Sequence, residues 1–293
     1  MDSFRKAYLQ MHIATVFFGF TAVLGALIQL PAISIVWWRV FITSISLLFF
    51  IGFGKKLMTI PRQYIWKFCL IGMVVGLHWL CFYGSVKLAN SSIAVICMAT
   101  TALFTSIFEP ALMRKKFNIL DTGLAIIIIP AMALIIKTID VSFHLGIIVG
   151  ILSAMLASLF TTLNKKYLEH GDFYSITFLE LGSATIFLSL IFPIYYKYFP
   201  EQAFFPPGSS DWLYILLLAI VCTTWAYVLA LKSLEYLTAF YSNLIINLEP
   251  VYGIVFAIIL LKEHKELNFT FYLGCIIIMV AVMGYPGLKR ILR

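Results

Sequence analysis

The chain has 293 residues, 62% of them hydrophobic and 12% charged, with a formal net charge of +8 and a mean hydropathy of +1.00. Soluble domains carry about 25% charged and about 45–50% apolar residues, and a soluble chain of this size cannot hide so much apolar surface. An ordinary soluble enzyme, a nucleic-acid-binding domain and a disordered chain are excluded, which leaves a protein embedded almost wholly in a lipid bilayer.

Ten apolar runs follow in chain order: Tyr8–Gln29, Ile33–Phe53, Tyr64–Leu88, Ser92–Met113, Ile119–Lys137, Leu145–Tyr167, Phe173–Lys197, Trp212–Leu231, Thr238–Leu261 and Phe269–Leu288. Each is near the roughly 20 residues that a helix needs to cross a bilayer. They are continuous rather than alternating, which excludes a β-barrel. Short polar or Pro/Gly tracts such as Gly54-Lys55-Lys56 and Pro206-Pro207-Gly208 separate them. The first run spans 22 residues, longer than the roughly 7–15 of a signal-peptide core, and is expected to be a membrane helix.

Ten spans put both termini on one side. That side then holds fifteen cations: Arg5, Lys6, Lys55, Lys56, Arg62, Lys67, Arg114, Lys115, Lys116, Lys165, Lys166, Lys232, Lys289, Arg290 and Arg293. The other side holds Lys87, Lys137, Lys197, Lys262 and Lys265, and Arg39 is embedded. The positive-inside rule makes the richer side cytoplasmic. The cations lie in short tracts between apolar runs, so the positive charge predicts membrane orientation and no nucleic-acid partner.

The third run leading into the fourth and the eighth leading into the ninth look alike, about half a chain apart. Trp79 matches Trp225 at an offset of 146, and Lys87 matches Lys232 at 145. Two five-helix halves are expected, residues 1–140 and 141–293. Because five is odd, the halves cross in opposite senses: an all-α membrane protein built as an inverted repeat, with a substrate site near the midplane.

Polar groups at bilayer depth are costly and mark a pathway or an interhelical bond. In the fourth run Thr101, Thr105 and Glu109 recur every four residues and share a face. In the ninth, Asn243 and Asn247 share a face, while Glu249 lies about 200° around the helix; a helix polar on two sides is central. Pro250 follows and can kink it. The second run carries Arg39 with Thr43 and Ser46, the third His78, Trp79 and Tyr83, and the seventh Thr177, Glu180 and Ser183. Trp225 sits deep in the eighth. The small-residue stripes Gly72/Gly76 and Gly146/Gly150/Ala154/Ser158 predict close helix packing. The five cysteines lie in apolar runs without CxxC or His spacing, so they predict neither a metal nor a disulfide. Asn90-Ser91-Ser92 and Asn268-Phe269-Thr270 match the glycosylation pattern by chance. No phosphate-binding loop, HExxH, GxSxG, Arg-rich helix or TVGYG is present, which argues against a pump, a protease or esterase, a voltage sensor and a potassium channel.

Leu77-His78-Trp79 through Phe82-Tyr83, then Lys87-Leu88, Ser92-Ile93-Ala94 and Thr100-Thr101, resemble the third and fourth helices of EamA-type proteins of the drug/metabolite transporter superfamily. Asn247-Leu248-Glu249-Pro250-Val251-Tyr252 running into Leu260-Leu261-Lys262-Glu263 is similar to their ninth, and Trp37-Trp38-Arg39 to their second. The resemblance covers the whole chain. It implies ten helices, two repeats, cytoplasmic termini, a bacterial inner membrane and export of small metabolites, often amino acids. Ala102 stands where the family has Pro; its partner Pro250, at an offset of 148, is present. Pro110 is not an equivalent, and Ala26 replaces a basic residue common in relatives.

The expected protein is a secondary transporter or facilitator with no cofactor, no metal and no enzymatic activity, using a cavity lined by Tyr, Trp, Asn and Thr, Tyr252 among them. Arg39 can meet a carboxylate, and protons are a candidate coupling ion through Glu249 or Glu180. A nucleotide-sugar or phosphate-ester carrier is the alternative, disfavoured by the single embedded cation; a non-transport membrane protein is a further one.

Overall fold

The computed structural model describes residues 3–52, 55–119, 121–123, 126, 141–261 and scattered positions between 269 and 284. Among these, all regular structure is helical, and eight helices are long and apolar enough to cross a membrane. The fifth and tenth runs fall largely outside the described residues, as do Lys137, Lys262, Lys265 and Asn268.

The helices are α1 (Ser3–Leu27), α2 (Ala32–Phe50), α3 (Arg62–Leu88), α4 (Ser91–Met98), α5 (Thr101–Met113), α6 (His144–Tyr167), α7 (Phe173–Tyr198), α8 (Ser209–Ala219), α9 (Ala226–Ser233), α10 (Ala239–Ile246) and α11 (Glu249–Leu261). The pairs α4/α5, α8/α9 and α10/α11 are each one interrupted span. Helix α3 lies between α6 and α7, α2 packs on α7, and α1 crosses α11 and α9.

The expected small-residue packing is present. A Cβ placed on Gly72 would run into the backbone of Glu180 and the hydroxyl of Ser183, and Gly76 faces Ala184. Ser183 Oγ also donates to the Cys69 carbonyl at 3.0 Å, tying α3 to α7 at the same place. Gly146 packs on Ala89, and Gly150 on Ser85 and Cys97.

The internal repeat is sharper in structure than in sequence. Helix α4 and helix α10 are each eight residues long, α5 and α11 each thirteen, and a two-residue break separates each pair. All four boundaries, Ser91/Ala239, Met98/Ile246, Thr101/Glu249 and Met113/Leu261, keep one offset of 148. Their N-caps correspond as well. Asn90 accepts a hydrogen bond from Ile93 N, and Thr238 accepts one from Tyr241 N. Asn and Thr suit this position because their side-chain oxygens satisfy an otherwise orphaned N–H, worth about 1 kcal/mol. That cap is the structural use of Asn90.

The break does not need a proline on both sides. At Pro250 the missing N–H interrupts the ladder. At Ala102 no proline is available; instead the Thr100 hydroxyl donates to Cys97 O at 2.8 Å and Thr101 to Met98 O at 2.5 Å. Ala99 and Thr100 N–H bond three residues back, to Ile96 O and Cys97 O, so the turn tightens there. Threonine hydroxyls bonding back to the preceding turn bend helices. The kink foreseen only at Pro250 is therefore present in both halves.

A second interruption has no sequence signal. Ile220–Trp225, between α8 and α9, is a π-helical turn. Such a turn inserts an extra residue and leaves carbonyls without their usual partners. Thr43 Oγ1 and Thr224 Oγ1 donate to Ala219 O, and Thr223 Oγ1 donates to Leu218 O.

Candidate functional site

Arg39 is the centre of the site. It is 1% exposed, the bulkiest fully buried side chain among the described residues. A guanidinium has five N–H donors. Three are used: Nε donates to Thr223 Oγ1 at 2.6 Å, one Nη to the Tyr83 hydroxyl at 3.0 Å and the other to Cys222 O at 3.3 Å. Two of these acceptors belong to the π turn, whose loosened ladder makes Cys222 O available. The guanidinium carbon lies over the Trp79 ring, 3.9 Å from its centroid, a cation–π contact. Two N–H donors remain, and Arg39 lines a cavity.

That cavity holds about 740 Å³ of empty space counting its mouth. Its walls come from α1 (Met11, Phe18, Thr21), α2 (Arg39), α3 (His78, Trp79, Phe82), the α4/α5 break (Met98, Thr101), α6 (Phe160, Thr161, Asn164), α9 (Tyr227, Leu231) and α10/α11 (Asn243, Glu249). Both half-helices α5 and α11 start at this wall, with Thr101 and Glu249 as their first residues. Most lining side chains are buried. Glu249 is within electrostatic reach of Arg39, yet no ion pair joins them among the described residues.

Bonds close the helix ends around the chamber. Where α1 ends, Gln29 N donates to Asp211 Oδ1 at 2.6 Å, Lys87 Nζ to Ile28 O at 2.7 Å, and Trp38 Nε1 to Phe204 O at 2.9 Å. At the opposite end Glu109 accepts from Phe240 N at 2.6 Å and pairs with Lys115 at 3.0 Å, and Lys165 donates to Leu234 O at 2.5 Å. Glu109 is thus ion-paired, with Lys115.

Of the sequence candidates, Arg39, His78, Trp79, Thr101, Asn243 and Glu249 share the cavity wall. His78 is also a packing residue: its Nδ1 lies 2.8 Å from the Ser153 hydroxyl and 2.9 Å from the Ser153 carbonyl oxygen. Tyr83 and Thr105 stand one layer back. Tyr83 holds Arg39, and Thr105 accepts from Asn243 Nδ2 at 2.8 Å while meeting Ser158. Glu180 is also behind the wall. Asn247 is buried with neither side-chain polar atom partnered, and it does not line the cavity.

Two candidates lie elsewhere. Tyr252 packs its Cβ beside Gly19 at the α1–α11 crossing. Trp225 is 57% exposed and faces outward. Trp225, matched to Trp79 at an offset of 146, closes the π turn. Tyr227, two residues further on and at the offset of 148 from Trp79 that the helix boundaries keep, reaches the cavity instead, with its ring 6.0 Å from Trp79. Asn164 and Tyr227 were not anticipated. Asn164 stands directly before Lys165-Lys166 and looks like part of a cytoplasmic end; only its burial reveals it.

A chamber enclosed by membrane-spanning helices from two similar halves, with one fixed cation and one carboxylate on its wall, defines a polytopic membrane protein built to hold a small molecule. The sequence profile of the EamA-like transporter family matches residues 5–137 and again 144–285, so the chain belongs to that family. It is similar to "Uncharacterized transporter YxxF" of Bacillus subtilis (strain 168): 25% identical over 287 residues, covering 94% of this chain and 88% of that one. A solved structure titled "Crystal structure of protein" superposes with a TM-score of 0.73 over 98% of both chains at 12% identity, which shows the shared fold.

Proposed function

We propose that the chain is a secondary transporter that carries small organic metabolites, amino acids first among them, out of the cell by alternating access. In this reading it is a ten-helix inverted repeat in a bacterial inner membrane, with both termini cytoplasmic. The observation that carries it is Arg39: a buried guanidinium held on three sides, with two donors left over on the wall of a chamber. Two parallel N–H groups match a carboxylate. Glu249, at the start of α11 on the same wall, offers an acceptor for an ammonium group. One cation and one anion suit a zwitterion. A phosphate ester carries two negative charges and would need more than the single buried cation found among the described residues. The aromatic walls from Phe18, Trp79, Phe82 and Phe160 suit an apolar side chain.

The test is counterflow of radiolabelled amino acids into proteoliposomes preloaded with a mixed amino-acid pool. Uptake of one or a few amino acids is expected. No counterflow by folded protein, for any amino acid, overturns the amino-acid reading. Glu249→Gln is expected to weaken half-saturation of a counterflowed amino acid roughly 10-fold, the loss of one charge-assisted bond of about 1.5 kcal/mol.

A further inference from the structure

Glu180 is a buried acid that the substrate reading leaves without a task. It lies seven residues into α7, about 10 Å along the helix, and is 0% exposed. Its Oε2 accepts from the Tyr227 hydroxyl at 2.6 Å and from Asn164 Nδ2 at 3.4 Å, and Asn164 Nδ2 also reaches the Tyr227 oxygen at 3.3 Å. Its other oxygen, Oε1, has no partner, and neither has Asn164 Oδ1.

Among the described residues, the surroundings offer no counter-charge. From α3 the titratable neighbour is the Cys69 thiol; from α9 it is Tyr227. Arg39 of α2 acts electrostatically on Tyr227 and spends its bonds on Thr223, Tyr83 and Cys222. Lys232 of α9 bonds Tyr174, and Lys67 of α3 lies over Tyr64 and Tyr167. A fully buried acid that pairs with no cation among the described residues is expensive unless it has a task. Glu249 differs, because it shares the chamber with Arg39.

We infer that Glu180 is a proton-binding site linked to the substrate chamber through Tyr227 and Asn164. The inference rests on the transport reading for the identity of the linked ligand and on geometry for the site. A hydronium ion gives up a proton and is left as water while an O–H bond forms at Oε1, the unpartnered oxygen; the reverse transfer breaks that bond and returns the proton to water. Uptake removes the negative charge that holds the Tyr227 hydrogen. Tyr227 and Asn164 form cavity wall, and Tyr227 packs on the Trp79 that carries Arg39. A change at Glu180 therefore reaches the groups that meet substrate, and linkage makes the effect reciprocal.

Two readouts on the full chain test this. In proteoliposomes with equal pH on both sides, wild-type exchange is expected to vary between mildly acidic and mildly alkaline buffer, and Glu180→Gln to exchange without that variation. In substrate-free protein, infrared difference spectra across the same range are expected to show a carboxylic C=O band that Glu180→Gln removes and Glu109→Gln keeps. Should Glu180→Gln not fold, Glu180→Asp retains a titrating band, displaced in pH. A band or pH profile in Glu180→Gln equal to wild type overturns the inference, as does a flat wild-type spectrum. Absence of amino-acid exchange in the wild type overturns the amino-acid reading instead, and the infrared titration then decides the proton site alone.

Discussion

Arg39→Ala is expected to weaken half-saturation in amino-acid counterflow by roughly 100-fold, or about 3 kcal/mol, the scale of a bidentate charge-assisted contact. Arg39→Lys is expected to lose roughly 10-fold, although it keeps the charge. The reason is geometric. Lysine offers three donors from one point, whereas arginine spreads five over a rigid plane. The structure uses all three nitrogens: Nε donates to Thr223, one Nη to Tyr83 and the other to Cys222 O, the guanidinium carbon sits over Trp79, and two N–H groups are left over. A lysine ammonium satisfies either the wall or the substrate. Both variants leave buried acceptors short of a donor, which also costs about 1–3 kcal/mol of stability. Melting by size-exclusion after heating separates the two effects: a half-saturation constant unchanged in folded Arg39→Ala overturns the carboxylate role.

The same residue shows what could be read from sequence and what could not. Arg39 stood out because an arginine amid a run such as Ile35-Val36-Trp37-Trp38 has no cheap place in lipid. Spans, small-residue stripes and the candidates Thr101, Asn243 and Glu249 were legible for similar reasons, since periodicity and polarity survive in any helix. The environment of Arg39 was not legible. Its acceptors come from a π turn, and Ile220–Trp225 carries no Pro or Gly to announce it. The match of Trp79 with Trp225 at 146 is a match of residue type, whereas the helices repeat at 148, which puts Tyr227 on the cavity wall. The break at Ala99–Thr100 was hidden for a related reason: two threonine hydroxyls do there what Pro250 does in the other half. Asn164 was masked by its charged neighbours. A residue's partners on other helices leave no trace in local pattern, and Glu180, Asn164 and Tyr227 meet only through tertiary packing.

Two glycines on facing helices should respond to the same substitution with opposite sign. Gly72→Ala on α3 is expected to destabilise the folded protein by about 2–3 kcal/mol, the cost of overpacking a close contact. Gly182→Ala on α7 is expected to be neutral or to stabilise by up to about 1 kcal/mol, because alanine is the better helix former. The difference lies in what each new methyl meets. At Gly182 it finds open space. At Gly72 it finds the carbonyl of Glu180 and the Ser183 hydroxyl, and a backbone carbonyl cannot swing aside as a flexible side-chain tip can. Relief requires α3 and α7 to separate, which strains the Ser183–Cys69 bond and moves the residue that carries the buried acid. Close approach of helices through small residues is a main source of cohesion in a bilayer, where apolar side chains gain little by leaving lipid. Thermal loss of the monodisperse peak in detergent measures both variants. Equal melting for Gly72→Ala and wild type would mean that α3 and α7 are not held at this contact. A lower melting point for Gly72→Ala, with Gly182→Ala at or above wild type, identifies the α3–α7 contact as the close packing that sets Glu180 beside Tyr227.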